Sequence, residues 1–153
     1  MTWKQQYATA HKAWQERTYP TTFADFGHLS TIYPDTRKAN GLTRMIVNFL
    51  TWSGHYANRI SSAGRIAPGL ERQASGITLT VKKFIPSTTK KGTADIHAII
   101  NGRHVSIEIK IGHDRMSEHQ IKEQERIERA GGVYIIIKTP EQFFEWYQKF
   151  ILS

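Results

Sequence analysis

Apolar residues recur at helical spacing towards both ends of this chain and alternate with polar ones through its middle. Leu42, Met45, Ile46, Phe49 and Leu50 fall at i, i+3, i+4, i+7 and i+8. That pattern predicts an amphipathic helix from Asn40 or Gly41 to about Trp52, closed by Gly54. Tyr7, Ala10 and Trp14 predict an earlier helix over Trp3 to Arg17. Tyr19-Pro20 ends it, because the residue before a proline is pushed out of the helical region. Thr21 to Lys38 mixes Gly27, Pro34 and aromatics and reads as an irregular, partly packed connector. Beyond the central helix, Ala57 to Ser62 reads as a strand ending at Ala63-Gly64, and Arg65 to Gly76 as a loop around Pro68-Gly69. Ile77 to Ile85 reads as a half-exposed strand with Ile77, Leu79 and Val81 turned inward. Ser117 to Ala130 is a helix with Ile121, Gln124 and Ile127 on one side, ended by Gly131-Gly132. Val133 to Lys138 contains an unbroken isoleucine run, suited to a strand covered on both faces. Thr139 as N-cap and Pro140 at the first helical position then start a helix that buries Phe143, Phe144, Tyr147 and Phe150.

The most informative stretch lies between. Ala94 to Ile100 and Arg103 to Lys110 both alternate, and Asn101-Gly102 between them is a strong signal for a two-residue hairpin turn. Such a turn sets the register: Ile100 opposite Arg103, Ile99 opposite His104, and Asp95 opposite Glu108. Ile96, Ala98, Ile100, Val105, Ile107 and Ile109 then share the core face. Asp95 and His97 share the other with Ser106, Glu108 and Lys110. Like charges directly across an antiparallel pair destabilise it, so a carboxylate pair held there makes sense around a cation. Helices bracketing a hairpin, a crossover helix and a buried strand predict an α/β fold with a mixed central sheet flanked by helices.

Composition narrows the partners. A chain of 153 residues with 39% hydrophobic residues is long enough for one domain with a real core. The net charge of +8 favours a polyanion. Arg59, Arg65, Arg72, Lys82, Lys83, Lys90 and Lys91 concentrate that charge in the middle of the chain. Such residues hold a phosphate backbone without reading bases, although a solvated surface explains part of them equally well. The absence of cysteine excludes disulfides and thiolate metal ligands. No apolar run reaches the length of a membrane span, and Met-Thr-Trp-Lys-Gln-Gln lacks the layout of a signal peptide, so the expectation is a cytoplasmic protein.

Four motifs follow one another in order: Lys91-Gly92-Thr93-Ala94-Asp95, Ser106-Ile107-Glu108-Ile109-Lys110, Ser117-Glu118-His119-Gln120 and Gly131-Gly132-Val133-Tyr134. In these the chain resembles the PD-(D/E)xK nuclease superfamily, and more closely its VRR-NUC branch, over roughly residues 40 to 140. The resemblance implies a restriction-endonuclease-like core over residues 39–153, with residues 1–38 as an extra N-terminal helical arm. It implies Mg2+ or Mn2+ held by Asp95, Glu108 and the backbone carbonyl of Ile109, with Lys110 and Gln120 completing a catalytic set. It also implies phosphodiester hydrolysis in DNA, and compact stand-alone members suggest branched or four-way-junction DNA and a homodimer. Arg59, Arg65, Lys90, Lys91, His97 and His113 are the candidates for nucleic-acid contact. Ser117-x-x-Gln120 is equally a helix capping box. The chain departs from the pattern in lacking a Val-Arg-Arg tripeptide and an acid on the first core helix, where Asn40, Thr43 or Asn48 stands instead; Glu71 is a substitute elsewhere. A binding module with a degenerate site and an RNA-processing nuclease of the same fold remain open readings of the same residues.

Overall fold

The computed structural model describes residues 1–61 and 65–153. Its elements run α1 (Trp3–Thr18), α2 (Pro20–Phe26), α3 (Ala39–Trp52), β1 (Tyr56–Arg59), β2 (Arg65–Arg72), β3 (Thr78–Ile85), β4 (Ile96–Ile100), β5 (Arg103–Ile109), α4 (Glu118–Arg129), β6 (Val133–Ile137) and α5 (Pro140–Leu152). The predicted strand end at Ser62, Ala63 and Gly64 lies outside the described residues. Among the described residues no helix is long and apolar enough to cross a membrane.

Four strands form a mixed sheet in the order β1-β4-β5-β6. β1, β4 and β5 are antiparallel, and β6 joins β5 in parallel. A parallel neighbour needs a crossover, and α4 supplies it. The β4–β5 register is the predicted one, with Ile100 opposite Arg103 and Ile96 opposite Ile107. Asn101 at φ 49° and Gly102 at φ 76° both take positive φ, the signature of the type I′ turn that Asn-Gly favours.

The sheet has two dissimilar faces. On one, Ile96, Ala98, Ile100, Val105, Ile107 and Ile137 are buried against α3 and α5. α3 contributes the expected apolar stripe, and α5 contributes Phe143, Phe144, Tyr147 and Phe150. Thr139 caps α5 by accepting the Gln142 N–H, with Pro140 in the first turn. On the opposite face α4 covers a polar layer. Its inward residues are Gln120, Glu123, Gln124 and Ile127, whereas Ile121 is 46% exposed. Of the expected side with Ile121, Gln124 and Ile127, Ile121 is the one left exposed, and Gln120, bonded to Glu108 and Lys110, faces the sheet in its place.

Two other expectations change. The segment after Tyr19-Pro20 is not wholly irregular, because Pro20 ends α1 and also opens α2, where its missing N–H costs nothing. Arg65 to Arg72 is a strand, β2, paired antiparallel with β3 along eight positions. Pro68-Gly69 suggested a loop, but an isolated two-stranded ribbon has an unpaired edge on each strand, where a proline displaces no ladder bond. The ribbon also leaves Ile77 and Leu79 exposed, not inward as their alternation suggested, since among the described residues no second layer covers it as the core covers β4 and β5.

The N-terminal segment packs on the core through α1. Tyr7 is fully buried, and its hydroxyl accepts a hydrogen bond from Asn48 of α3 at 3.3 Å. Thr2 and Gln5 form a reciprocal cap at the start of α1.

Candidate active site

Asp95 sits immediately before β4, one step beyond the Ile96–Ile107 pair and therefore across from Glu108. Its carboxylate accepts the Ile109 N–H at 2.9 Å, which fastens it to the end of β5 and sets the Ile109 peptide beside it. Glu108 and Lys110 follow on the same side of β5, under α4. Their side chains are only 3% and 7% exposed, and Lys110 Nζ lies 3.1 Å from Glu108 Oε1. A hairpin residue pair on a solvated surface would not be buried this way.

Gln120 ties the cluster to α4. Its Nε2 donates to Glu108 Oε1. Its Oε1 accepts from Lys110 Nζ at 3.1 Å and from the Ser117 N–H at 2.9 Å. The capping box is present as well, with Ser117 Oγ accepting the Gln120 N–H. One side chain thus closes the helix start and bridges the acid and the base. Tyr134 of β6 donates its hydroxyl to Glu108 Oε2 at 3.4 Å, and Asp114 lies 3.5 Å from Lys110.

The electrostatics follow from burial. The Glu108 carboxyl is pushed above its ordinary range first by desolvation and then by the negative charge of Asp95, with Lys110 opposing both. The Tyr134 hydroxyl is pushed up for the same reasons, burial first and the Glu108 charge second. Burial leads both shifts, and the negative charge of a neighbouring carboxylate adds to each. A divalent cation between Asp95 and Glu108 would relieve that, so the donor set fits a hard, oxygen-seeking ion.

The other predicted residues are dispersed. Lys90 is committed to Glu123 of α4 at 2.6 Å, while Lys91 is exposed beside it. His97 is on the α4 side of the sheet, bonded to His104 at 3.1 Å, and its Nε2, like the neighbouring Ser106 Oγ, is shielded from solvent and has no partner among the described residues. His113 is exposed on the turn after β5. Arg59 pairs with Ile96 in register, so it belongs to the α3 side of the sheet, where it donates to Asn40 at 2.6 Å. Arg65 opens β2. Of the α3 candidates, Asn48 is turned towards Tyr7, and Thr43 donates to the Ala39 carbonyl of its own helix. Glu71 lies towards the tip of the ribbon, near the turn that joins β2 to β3.

Three features were given no place in the site by the sequence, although Tyr134 stands in one of its motifs. Tyr134 and Glu123 join the polar layer only because α4 lies over that sheet face. A signal existed for Tyr134: a tyrosine set among isoleucines in a buried strand needs a partner for its hydroxyl. A cleft of about 350 Å³ at the start of α3, lined by Asp35, Lys38, Asn40, Gly41, Arg44 and Arg59, adds cations at the same end of the sheet. Compared with models of protein families and with curated proteins, the chain matches none.

Proposed function

We propose that this chain is a metal-dependent endonuclease that hydrolyses phosphodiester bonds in DNA, built on a restriction-endonuclease-like core. The observation that carries the reading is the convergence of Asp95, Glu108, Lys110 and Gln120 at the ends of β4 and β5, with a buried acid and a buried amine in contact. Buried charges of this kind are costly, and replacing them with apolar side chains would often be neutral or stabilising. A buried acid and amine in contact, with the carboxyl pushed above its ordinary range, are the kind of arrangement found at reacting centres.

Asp95, Glu108 and the Ile109 carbonyl would hold Mg2+ or Mn2+. When bound, such an ion polarises a water and a phosphoryl oxygen. The remaining work falls to the chain itself. Lys110 is a fixed cation, held by Glu108 and Gln120, that offsets negative charge developing on the phosphate. Gln120 keeps that ammonium in place through its own bond to the helix start. In the reaction a water oxygen bonds to phosphorus and one P–O ester bond breaks; one water proton ends on the released hydroxyl, and the other stays on the new phosphate or passes to solvent. Exposed cations such as Lys91 would hold the backbone.

Asp95→Asn keeps an acceptor for the Ile109 N–H and removes the charge. Labelled four-way, flap, duplex and single-stranded DNA, and RNA, are incubated with Mg2+ or Mn2+. The expectation is metal-dependent DNA cutting that falls roughly 100-fold or more in Asp95→Asn, a size typical of losing a key electrostatic group, with binding retained. Tight binding without cutting by the wild type would make the chain a binding module, and cutting of RNA alone would overturn the DNA assignment.

A further inference from the structure

The β2–β3 ribbon carries side chains that no other element covers among the described residues. Its register puts Ile66 opposite Phe84, Pro68 opposite Lys82, Leu70 opposite Thr80 and Arg72 opposite Thr78, all on one face. Ile66, Leu70 and Phe84 are 71%, 79% and 63% exposed on that face. A lone two-stranded ribbon is marginal in water, and three large apolar groups side by side are a surface that expects an occupant.

Charge selects the occupant. From Arg65 to Ile85 the sequence holds Arg65, Arg72, Lys82 and Lys83 against the single acid Glu71. On the apolar face the register places Arg72 and Lys82 and no acid, with Lys83 on the opposite face; a second copy would bring only more cations to that face, whereas a polyanion neutralises them. Position agrees. The Ile60 N–H donates to the Asp95 carbonyl at 2.8 Å, and Ser61 just beyond accepts from Ser87 Oγ at 3.3 Å and Thr89 Oγ1 at 2.8 Å. The chain on either side of the ribbon is therefore clasped together beside Asp95, and the ribbon leaves from the candidate active site. Eight residues of strand reach about 27 Å, the length of about eight base pairs.

We infer that this ribbon is a DNA arm that lies in the major groove of the duplex flanking the scissile phosphate. The B-form major groove admits a two-stranded ribbon, and the A-form groove of double-stranded RNA does not. Arg72 and Lys82 on the apolar face, and Lys83 on the other, take phosphates along the groove walls, and Ile66, Leu70 and Phe84 meet base edges and thymine methyls. The substrate class is then DNA with a duplex flank, as opposed to a bare single strand or RNA. This inference rests on the nuclease reading.

The test compares the wild type with an Arg72→Gln/Lys82→Gln/Lys83→Gln triple variant and with Phe84→Ser. All four positions are exposed, and thermal unfolding checks that the fold is kept. Binding of a 30-base-pair duplex, a single strand and double-stranded RNA is measured by anisotropy over a range of salt, alongside cutting. The expected result for the triple variant is a duplex affinity at least roughly tenfold weaker and a log–log salt slope shallower by about two to three. Phe84→Ser weakens duplex binding without changing that slope, and the wild type prefers duplex DNA over the other two. Unchanged affinity and slope in the triple variant of a protein that still cuts DNA would overturn the arm and leave the nuclease reading standing. So would conversion of a dimer to a monomer by Phe84→Ser with DNA affinity intact, which would give the face to a second copy. A wild type that neither binds nor cuts DNA would overturn both.

Discussion

Gln120 joins the start of α4 to the acid pair through both ends of its amide, and its two kinds of bond can be separated by mutation. Ser117→Ala removes only the helix cap and is expected to cost about 1 kcal/mol. Gln120→Ala removes the reciprocal cap and also takes a donor from Glu108 and an acceptor from Lys110, both buried. Leaving such charged groups short of partners raises the expected loss to about 3 kcal/mol. Urea unfolding of the two variants measures the difference, and equal losses would mean that the bonds to Glu108 and Lys110 contribute nothing to stability. At this scale the sequence is read well where geometry is local. Asn101-Gly102 sets the turn, the turn sets the register, and the register puts Asp95 across from Glu108. Tyr134 and Glu123 are less legible, because they reach the layer from elements that only the folded chain brings over the hairpin.

The elements around the site meet at one close backbone approach. Gly92, in the loop before β4, has φ +86°, and a Cβ there would stand 2.4 Å from the His119 carbonyl oxygen in the first turn of α4. Gly76, in the turn of the ribbon, has nearly the same φ, +84°, with nothing within 4 Å of its Cβ position. The pair separates backbone conformation from contact. Gly76→Ala should cost about 1 kcal/mol, the left-handed penalty alone. Gly92→Ala should cost more than about 2 kcal/mol, because loop and helix must also part. It should lower any cleavage activity as well, since Asp95 lies three residues on and Gln120 follows His119. Similar stability losses for both variants, by urea unfolding, would rule out a structural role for the close approach. The pattern of legibility has the same origin. α3, α5 and the β4–β5 hairpin declare themselves because their apolar periodicity meets one buried face. β2 does not, because Pro68-Gly69 is a turn signal wherever a strand is covered, and an uncovered ribbon tolerates it.

Across the whole molecule, two histidines sit where separate parts of the chain are held to the core. His11 of α1 stacks on Trp52 of α3 with ring centroids 4.3 Å apart, and its Nδ1 lies 3.0 Å from Thr31 Oγ1. His55, after α3, hydrogen-bonds the Tyr147 hydroxyl of α5 at 2.8 Å. Residues 1–38 read from sequence as a helical arm with a partly packed connector and no stated partner, because aromatic content announces packing without naming what it packs on. Folding supplies the partner, the outer face of α3. Burial holds the pKa of both histidines below the ordinary value near 6.5, and for His11 the nearby His28 adds to the effect. The sign follows from proton counts. Between the depressed folded value and 6.5 the unfolded chain binds more protons than the folded one, so stability rises with pH across that window. The contribution of each histidine is whole above 6.5 and is lost as pH falls towards its folded value. The melting temperature should therefore drop between about pH 7 and pH 5, beyond any change due to carboxylates. A His11→Gln/His55→Gln variant cannot titrate at these positions, so its melting temperature should depend less on pH over the same window, whatever its absolute value. Parallel curves for the two proteins between pH 7 and pH 5 would show that neither histidine couples protonation to the docking of α1 and α5.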